Sequence, residues 1–287
     1  HSSHRRQRQM CIRDRNLPFQ YGYPLKRWLK SHHCMLQKKE QPWIHKLRIV
    51  QLFEADFNSA LKFLMGRRLM QHSEKHGINS DQLYGSRKGK SAIEALITLR
   101  VMYDMARADR LYMVSLFNDL KGCYDRIRPA LNTITTRRMG CPKGIAECQS
   151  KALRLMEHLV KTSFGVCPEK IQWDIYNLLG GIGQGSGAGP VSWHSHMLPL
   201  IDAYEELIPH RAYFVSPDKK IAISQWLIGF VDDNTILFTL KDKDFKPESM
   251  EKLFQMADEC LETWQRLIVI TGGDIELDKS CVNVMSV

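Results

Sequence analysis

The stretch GFVDDNTILF, Gly229 to Phe238, constrains the fold more than any other in the chain. It sets two aspartates side by side between two apolar runs. Adjacent carboxylates repel, and neither is buried cheaply without a partner. WLIGFV and TILFTL read as strands, and Asp232-Asp233-Asn234 has a turn composition. A tight hairpin projects both carboxylates at its tip. Taken alone, the simplest reading is that Asp and Asn are good turn formers.

A second carboxylate cluster changes that reading. LYMVSLF, Leu111 to Phe117, is a short apolar run that predicts a buried strand, and NDLKGCYD follows it directly. Asp119 therefore sits at the C-terminal end of that strand. If the two strands are neighbours in one sheet, Asp119 and Asp232 converge. Several carboxylates at one sheet edge stabilise poorly, but they suit Mg²⁺, which takes hard oxygen ligands. Such a site serves phosphoryl or nucleotidyl transfer in general. The third element is GGIGQGSGAGP, Gly180 to Pro190. It lacks the terminal Gly-Lys-Ser/Thr of a Walker A loop and has no clean preceding strand or ribose-binding acid for a dinucleotide fingerprint. Small residues there permit close approach to a ligand, and the Gln184 amide can bond it. The alternative is a flexible loop before a helix.

The remaining pattern mixes helices with strands. Residues 16 to 44 read as irregular. From Val50 the apolar spacing turns helical and ends before Gly77. Ser91-Ala-Ile-Glu94 is a capping box that starts a helix to about Ala108. Lys151 to Val160, about Val191 to Leu207, and Ser249 to Ile268 also read as helices; AYFV and IAISQWLIGF read as strands around SPDKK; and ELDKSCVNVMSV reads as a loop and a strand. With no internal repeat and no long parallel crossover, the class is α+β.

Composition excludes some functions. No run of eighteen apolar residues exists, so no membrane span is expected. Eight cysteines without a CxxC pair, and no secretory h-region, point to free thiols in an intracellular setting, cytoplasmic or nuclear. His32, His33 and Cys34 lack a second ligand pair and read as a solvated surface cluster. MCIRDR, Met10 to Arg15, resembles a translated sequencing adapter (ATG TGT ATA AGA GAC AG), so residues 1–15 are set aside as an artefact, with a natural basic arm as the alternative. Five arginines against Asp14 give this stretch +4, and removing it lowers the formal charge from +10 to +6. The remainder still suits a polyanionic partner.

Taken in order, these pieces resemble the reverse transcriptases of non-LTR retrotransposons and group II introns, from about Trp43 to the end. The residues that carry the resemblance are Asp119 with Tyr124 five residues on, Gln184-Gly185 before Pro190, Phe230-Val231-Asp232-Asp233, and Gly273 with Lys279 in GGDIELDKS. Upstream, QLYGSRKGKSAIEAL and KLRIVQL look like the family's segments near the nucleotide. The resemblance implies a right-hand polymerase with an antiparallel palm sheet packed on helices. It assigns fingers to about 43–109 and 129–178, palm to about 110–128 and 179–287, and no thumb. It further implies that residues 16–287 make up the reverse transcriptase domain and that the chain is a fragment of a longer polyprotein.

The same resemblance implies the roles. Asp119 and Asp232 bind two Mg²⁺ ions, with Mn²⁺ as the alternative, assisted by the backbone carbonyl of Leu120, and Asp233 supports them. Tyr124 gates the sugar and excludes a 2′-hydroxyl. Gln184 and Gly185 line the nucleotide and template pocket. Lys46, Arg48 and Arg87 neutralise the triphosphate, and Lys279 protonates or orients the pyrophosphate. The partners are an RNA template, a DNA or RNA primer and a dNTP. Oligomeric state is left open. Three positions depart from the pattern: Gly183 where Arg is frequent, Gly189 where Ser is frequent, and YGSR in place of GFR. Two other readings stand beside this one. One is an RNA-dependent RNA polymerase, which Tyr124 disfavours; the other is a non-catalytic nucleic-acid-binding remnant.

Overall fold

The computed structural model describes residues 14, 16–37, 43, 47–172, 181–216, 218–241 and 247–285. The adapter-like stretch, apart from Asp14, lies outside the described residues, as does Lys46. Among the described residues the strands in chain order are β1 (Lys30–Leu36), β2 (Arg48–Phe53), β3 (Tyr112–Asp119), β4 (Glu157–Thr162), β5 (Gly165–Gln172), β6 (Tyr213–Val215), β7 (Ala222–Ser224), β8 (Leu227–Phe230), β9 (Asp233–Leu240) and β10 (Cys281–Met285). The chain divides into two compact units, His1–Ile78 with Tyr124–His196, and Asn79–Cys123 with Met197–Val287. Among the described residues, no helix is long and apolar enough to cross a membrane.

The first unit holds a four-stranded sheet in the order β2-β1-β4-β5. Lys30–Leu36 is a strand rather than irregular chain, because it gains partners on both sides: β2 antiparallel and β4 parallel. That parallel pair was not anticipated. Arg48–Phe53 is a strand, and the helix begins only at Ala55. Glu54 sets this boundary by accepting the backbone N–H groups of Asp56 and Phe57. The helix runs through a π-helical segment, Lys62–Leu69, and ends at Lys75. The helix read over 151–160 stops at Leu155, and Glu157–Thr162 joins the sheet as β4. His32, His33 and Cys34 are half-buried on β1 rather than fully solvated, and His33 Nε2 lies 2.8 Å from Nδ1 of buried His158. Burial holds the His33 and His158 imidazoles below their ordinary range, His158 at about 4.

The second unit holds the antiparallel sheet β10-β3-β9-β8. β3 is buried on both faces, which explains its nearly continuous apolar sequence. Alternation along it separates two environments. Met113 packs in a core with Met102 and Ala106 of the helix Ala92–Ala108, and the Ser115 hydroxyl lies 2.7 Å from the Tyr103 hydroxyl on the same helix. Helix Pro247–Ile270 also packs on β3. Its Trp264 meets Tyr204 and Trp226 in a fully buried aromatic cluster, with Tyr204 and Trp226 stacked at 4.4 Å. The α+β class expected from the sequence is the class observed.

The capping box read at Ser91 is present: its hydroxyl accepts from Glu94 N at 3.2 Å, and the Glu94 carboxylate accepts from Ser91 N at 2.7 Å. Ser91→Ala should therefore lower stability by about 1 kcal/mol, read as a shift in the urea midpoint with an unchanged slope. An unchanged midpoint would show that the helix start is held by packing alone.

Candidate active site

The antiparallel ladder between β3 and β9 runs from Tyr112↔Leu240 to Asp119↔Asp233. Its last rung sets two carboxylates opposite each other on the face shared with Met113 and Ser115. Like charges in that position destabilise a sheet. The hairpin turn is one residue earlier than the sequence suggested: Val231 and Asp232 form it, Phe230 pairs with Asp233, and Asp233 opens β9. The Asp232 carbonyl accepts from Leu120 N at 3.2 Å and from Asn234 Nδ2 at 3.1 Å. Asp119, Asp232 and Asp233 are thus brought together by backbone bonds, and Leu120 lies in the same corner.

A cation already stands there. Lys279 Nζ donates to Asp119 Oδ2 at 2.7 Å. The chain around it is tied in register, since Glu276 N donates to Asp119 O at 2.9 Å and Lys121 N to Asp274 O at 2.9 Å. The bond to Asp119 raises the Lys279 ammonium above its usual value. Asp233 is raised too, first by burial and then by the charges of Asp232 and Asp119. A pocket of about 360 Å³ flanks Asp119, Asp233 and Lys279, walled by Leu96 and Leu99 of helix Ala92–Ala108 and by Phe117 and Phe230.

The turn is strained and braced. Val231 has φ of +59°, a left-handed conformation costly for a β-branched residue. Residues 82–85 lie along the free edge of β8: Gly229 N donates to Gln82 O at 2.9 Å, and Tyr84 N to Gly229 O at 2.8 Å. Gly85 is required there, because a Cβ would stand 2.7 Å from Val231 N. Arg87, with only 10% of its side chain exposed, donates to the carbonyls of Ser80 at 2.8 Å and Leu83 at 3.2 Å. Its guanidinium therefore holds the bracing loop.

In the first unit, Tyr124 lies beside the glycine-rich loop. Ile182 N donates to Tyr124 O at 2.8 Å, and a Cβ on Gly189 would stand 3.6 Å from the Tyr124 ring. Gln184 Nε2 donates to Asp125 Oδ2 at 3.3 Å, while burial raises the Asp125 carboxyl. Two residues that the sequence reading missed hold this loop. Gln51 N donates to Gln184 O at 2.6 Å, and a Cβ on Gly183 would collide with the Gln51 amide. Asn58 donates to Gly185 O at 3.0 Å and accepts from Gly187 N at 2.6 Å. Their only sequence signal was position, on the strand and helix just before the π-helical segment. Arg48 is exposed at the start of β2.

The donor set fits a divalent cation in chemistry. It offers hard oxygen ligands from Asp119, Asp232 and Asp233, brought to one corner by the β3–β9 ladder and the turn. Among the described residues, however, no three His, Cys, Asp or Glu side chains converge as a ready metal cage. With Asp119 turned to Lys279, the ammonium takes a carboxylate oxygen that a metal would need.

Comparison with solved structures defines the fold. The chain is similar to apo telomerase from Candida tropicalis truncated from its C-terminal domain, at TM-score 0.53 and 11% identity, covering 91% of this chain and 51% of that one. Telomerase from Candida tropicalis with a TWJ fragment of telomeric RNA gives 0.51 at 14% identity, covering 91% and 42%, and the Candida albicans counterpart gives 0.51 at 12%, covering 90% and 42%. The chain thus spans about half or less of these proteins. No curated protein matches its sequence. The family described as reverse transcriptase (RNA-dependent DNA polymerase) matches residues 36–282, and the chain belongs to that family.

A carboxyl raised on folding adds stability only while protonated, below about pH 4, and that contribution is lost as pH rises through the raised value. Asp233→Asn should therefore be more stable than the parent at pH 7, with the advantage vanishing below about pH 4. Urea unfolding across that range checks it. An advantage that grows in acid would contradict the charge assignment.

Proposed function

We propose that this chain carries out RNA-templated DNA synthesis by nucleotidyl transfer and derives from a retroelement. The observation that carries the proposal is the rung Asp119↔Asp233, with Asp232 held beside it by Leu120 N, in a chain of the reverse transcriptase family. Asp119 and Asp232, with the Leu120 carbonyl, would hold two Mg²⁺ or Mn²⁺ ions, and Asp233 would add charge beside them. Bound there, the metals supply activation of the primer hydroxyl and neutralisation of the departing pyrophosphate.

The chain's own residues do the rest. Lys279, which donates to Asp119 in this structure, would exchange that bond to protonate or orient the pyrophosphate. Tyr124 is assigned to exclude the 2′-hydroxyl by bulk, and Gln184 and Gly185 to the nucleotide and template. Lys46, Arg48 and Arg87 are assigned to the triphosphate; Arg87 would have to exchange its bonds to Ser80 and Leu83. The carboxylates fall on the palm stretches, about 110–128 and 179–287, and Arg48 and Arg87 on the fingers. The partners are an RNA template, a primer and dNTPs. The telomeric RNA fragment bound in the Candida tropicalis complex supports an RNA partner. An enzyme that copies any sequence should grip backbone and shape rather than base edges.

Primer extension on an RNA template with Mg²⁺ and dNTPs tests the proposal. Asp119→Asn and Asp232→Asn should each lower the rate at least about 100-fold. Equal extension by these variants, or RNA binding without extension by the parent, would refute it. Tyr124→Ala should lower the preference for dNTPs over rNTPs by about tenfold or more. An unchanged preference would remove the gate.

A further inference from the structure

At the far end of the carboxylate-bearing sheet lies a groove of about 690 Å³. Its lining includes Arg211, Lys219, Lys241, Tyr213, Ser216 and Asp109. β3 is eight residues long, so the groove stands about 24 Å from Asp119. The polymerase reading gives it no part.

Three cations face one carboxylate across this groove. Among the described residues Asp218, beside the lining residue Ser216, is already engaged: it accepts from the Ser216 hydroxyl at 2.6 Å and lies 3.6 Å from Lys220. Arg211 is fixed by a bond from its guanidinium to the Glu205 carbonyl. The turn between β6 and β7 is built to present Lys219. Ser216 N donates to Ile221 O at 2.8 Å, Lys219 N to Ser216 O at 2.8 Å, and Ile221 N to the Ser216 hydroxyl at 3.0 Å. Within this closed turn Lys219 holds φ of +59°, where Gly or Asn would be relaxed. Alternation on β6 buries Phe214 and turns Tyr213 outward, 54% exposed.

A fixed guanidinium, two ammonium groups and an exposed aromatic face in one concavity match one chemistry. Cations take phosphodiesters, and the ring stacks a base without regard to sequence. We infer that this groove is a second nucleic-acid site, which holds a single strand of RNA or DNA away from the carboxylates. Arg211, Lys219 and Lys241 bind its phosphates, and Tyr213 stacks on one base. An acidic protein surface would use the cations but not the ring. A flat anionic membrane would not enter the groove.

The inference goes beyond the polymerase reading and is tested by binding alone, so neither stands or falls with the other. The probe is a fluorescein-labelled oligoadenylate of about 12 nucleotides, titrated into the full chain by anisotropy across a salt series. Lys219→Ala with Lys241→Ala should weaken binding and lower the slope of log K against log salt by about 1.4. Lys219→Arg with Lys241→Arg should keep the parent slope. Tyr213→Ala should weaken binding by about tenfold and Tyr213→Phe hardly at all. Thermal melts that match the parent confirm that each variant is folded. Unchanged affinity and slope in the alanine pair would overturn the inference. So would loss of binding to phosphatidylserine vesicles in that pair with RNA binding intact, or equal binding by Tyr213→Ala and Tyr213→Phe.

Discussion

The site rests on one rung of one ladder. β3 and β9 pair residue for residue over eight positions, and the pairing ends with Asp119 against Asp233. A slip of a single residue would move every core side chain on these strands to the opposite face. Met113 and Leu237 in the core therefore fix where the carboxylates fall. The sheet is held together by apolar burial along its length and carries three clustered carboxylates, with one lysine bonded to them, at its end. Cross-strand carboxylates are a poor choice for stability. They become intelligible when a cation joins them, and Lys279 shows that the site already recruits one.

Around that rung, the structure invests in rigidity. Val231 sits in a conformation that no β-branched residue prefers. Residues 82–85 keep it there by closing the edge of β8, and Gly85 is the only residue type that lets the two backbones approach so closely. This gives a physical reason for the glycine in QLYGSR. In the other unit, Gln51 and Asn58 do the same for the loop that carries Gln184. Strained or glycine-dependent backbone is thus tied down at both places where the family resemblance assigns function.

Much of this was legible in the sequence. The apolar run before Asp119 and the hairpin around Asp232 named the correct strands, and the capping box at Ser91 named a helix start that the structure keeps. The failures share a cause. Lys30–Leu36 and Glu157–Thr162 have no alternation of their own and become strands because they pair with each other across a long sequence separation. Phe53 and Phe57 have helical spacing, yet Glu54 caps the helix between them and leaves Phe53 on a strand. The turn at 231–232 was displaced by one residue because Val is disfavoured where the chain puts it. Gln51, Asn58 and Gly85 were invisible as site residues, since their roles depend on contacts far away in sequence.

The claim that the β3–β9 terminus is a cation site can be measured without polymerisation. Electron spin resonance of Mn²⁺ titrated into the full chain counts bound metal directly. The account predicts a saturable Mn²⁺ site, displaced by Mg²⁺, that weakens at least about tenfold in Asp119→Asn and in Asp232→Asn. Saturable binding of equal strength in the parent and both variants would contradict it, as would no binding by the parent.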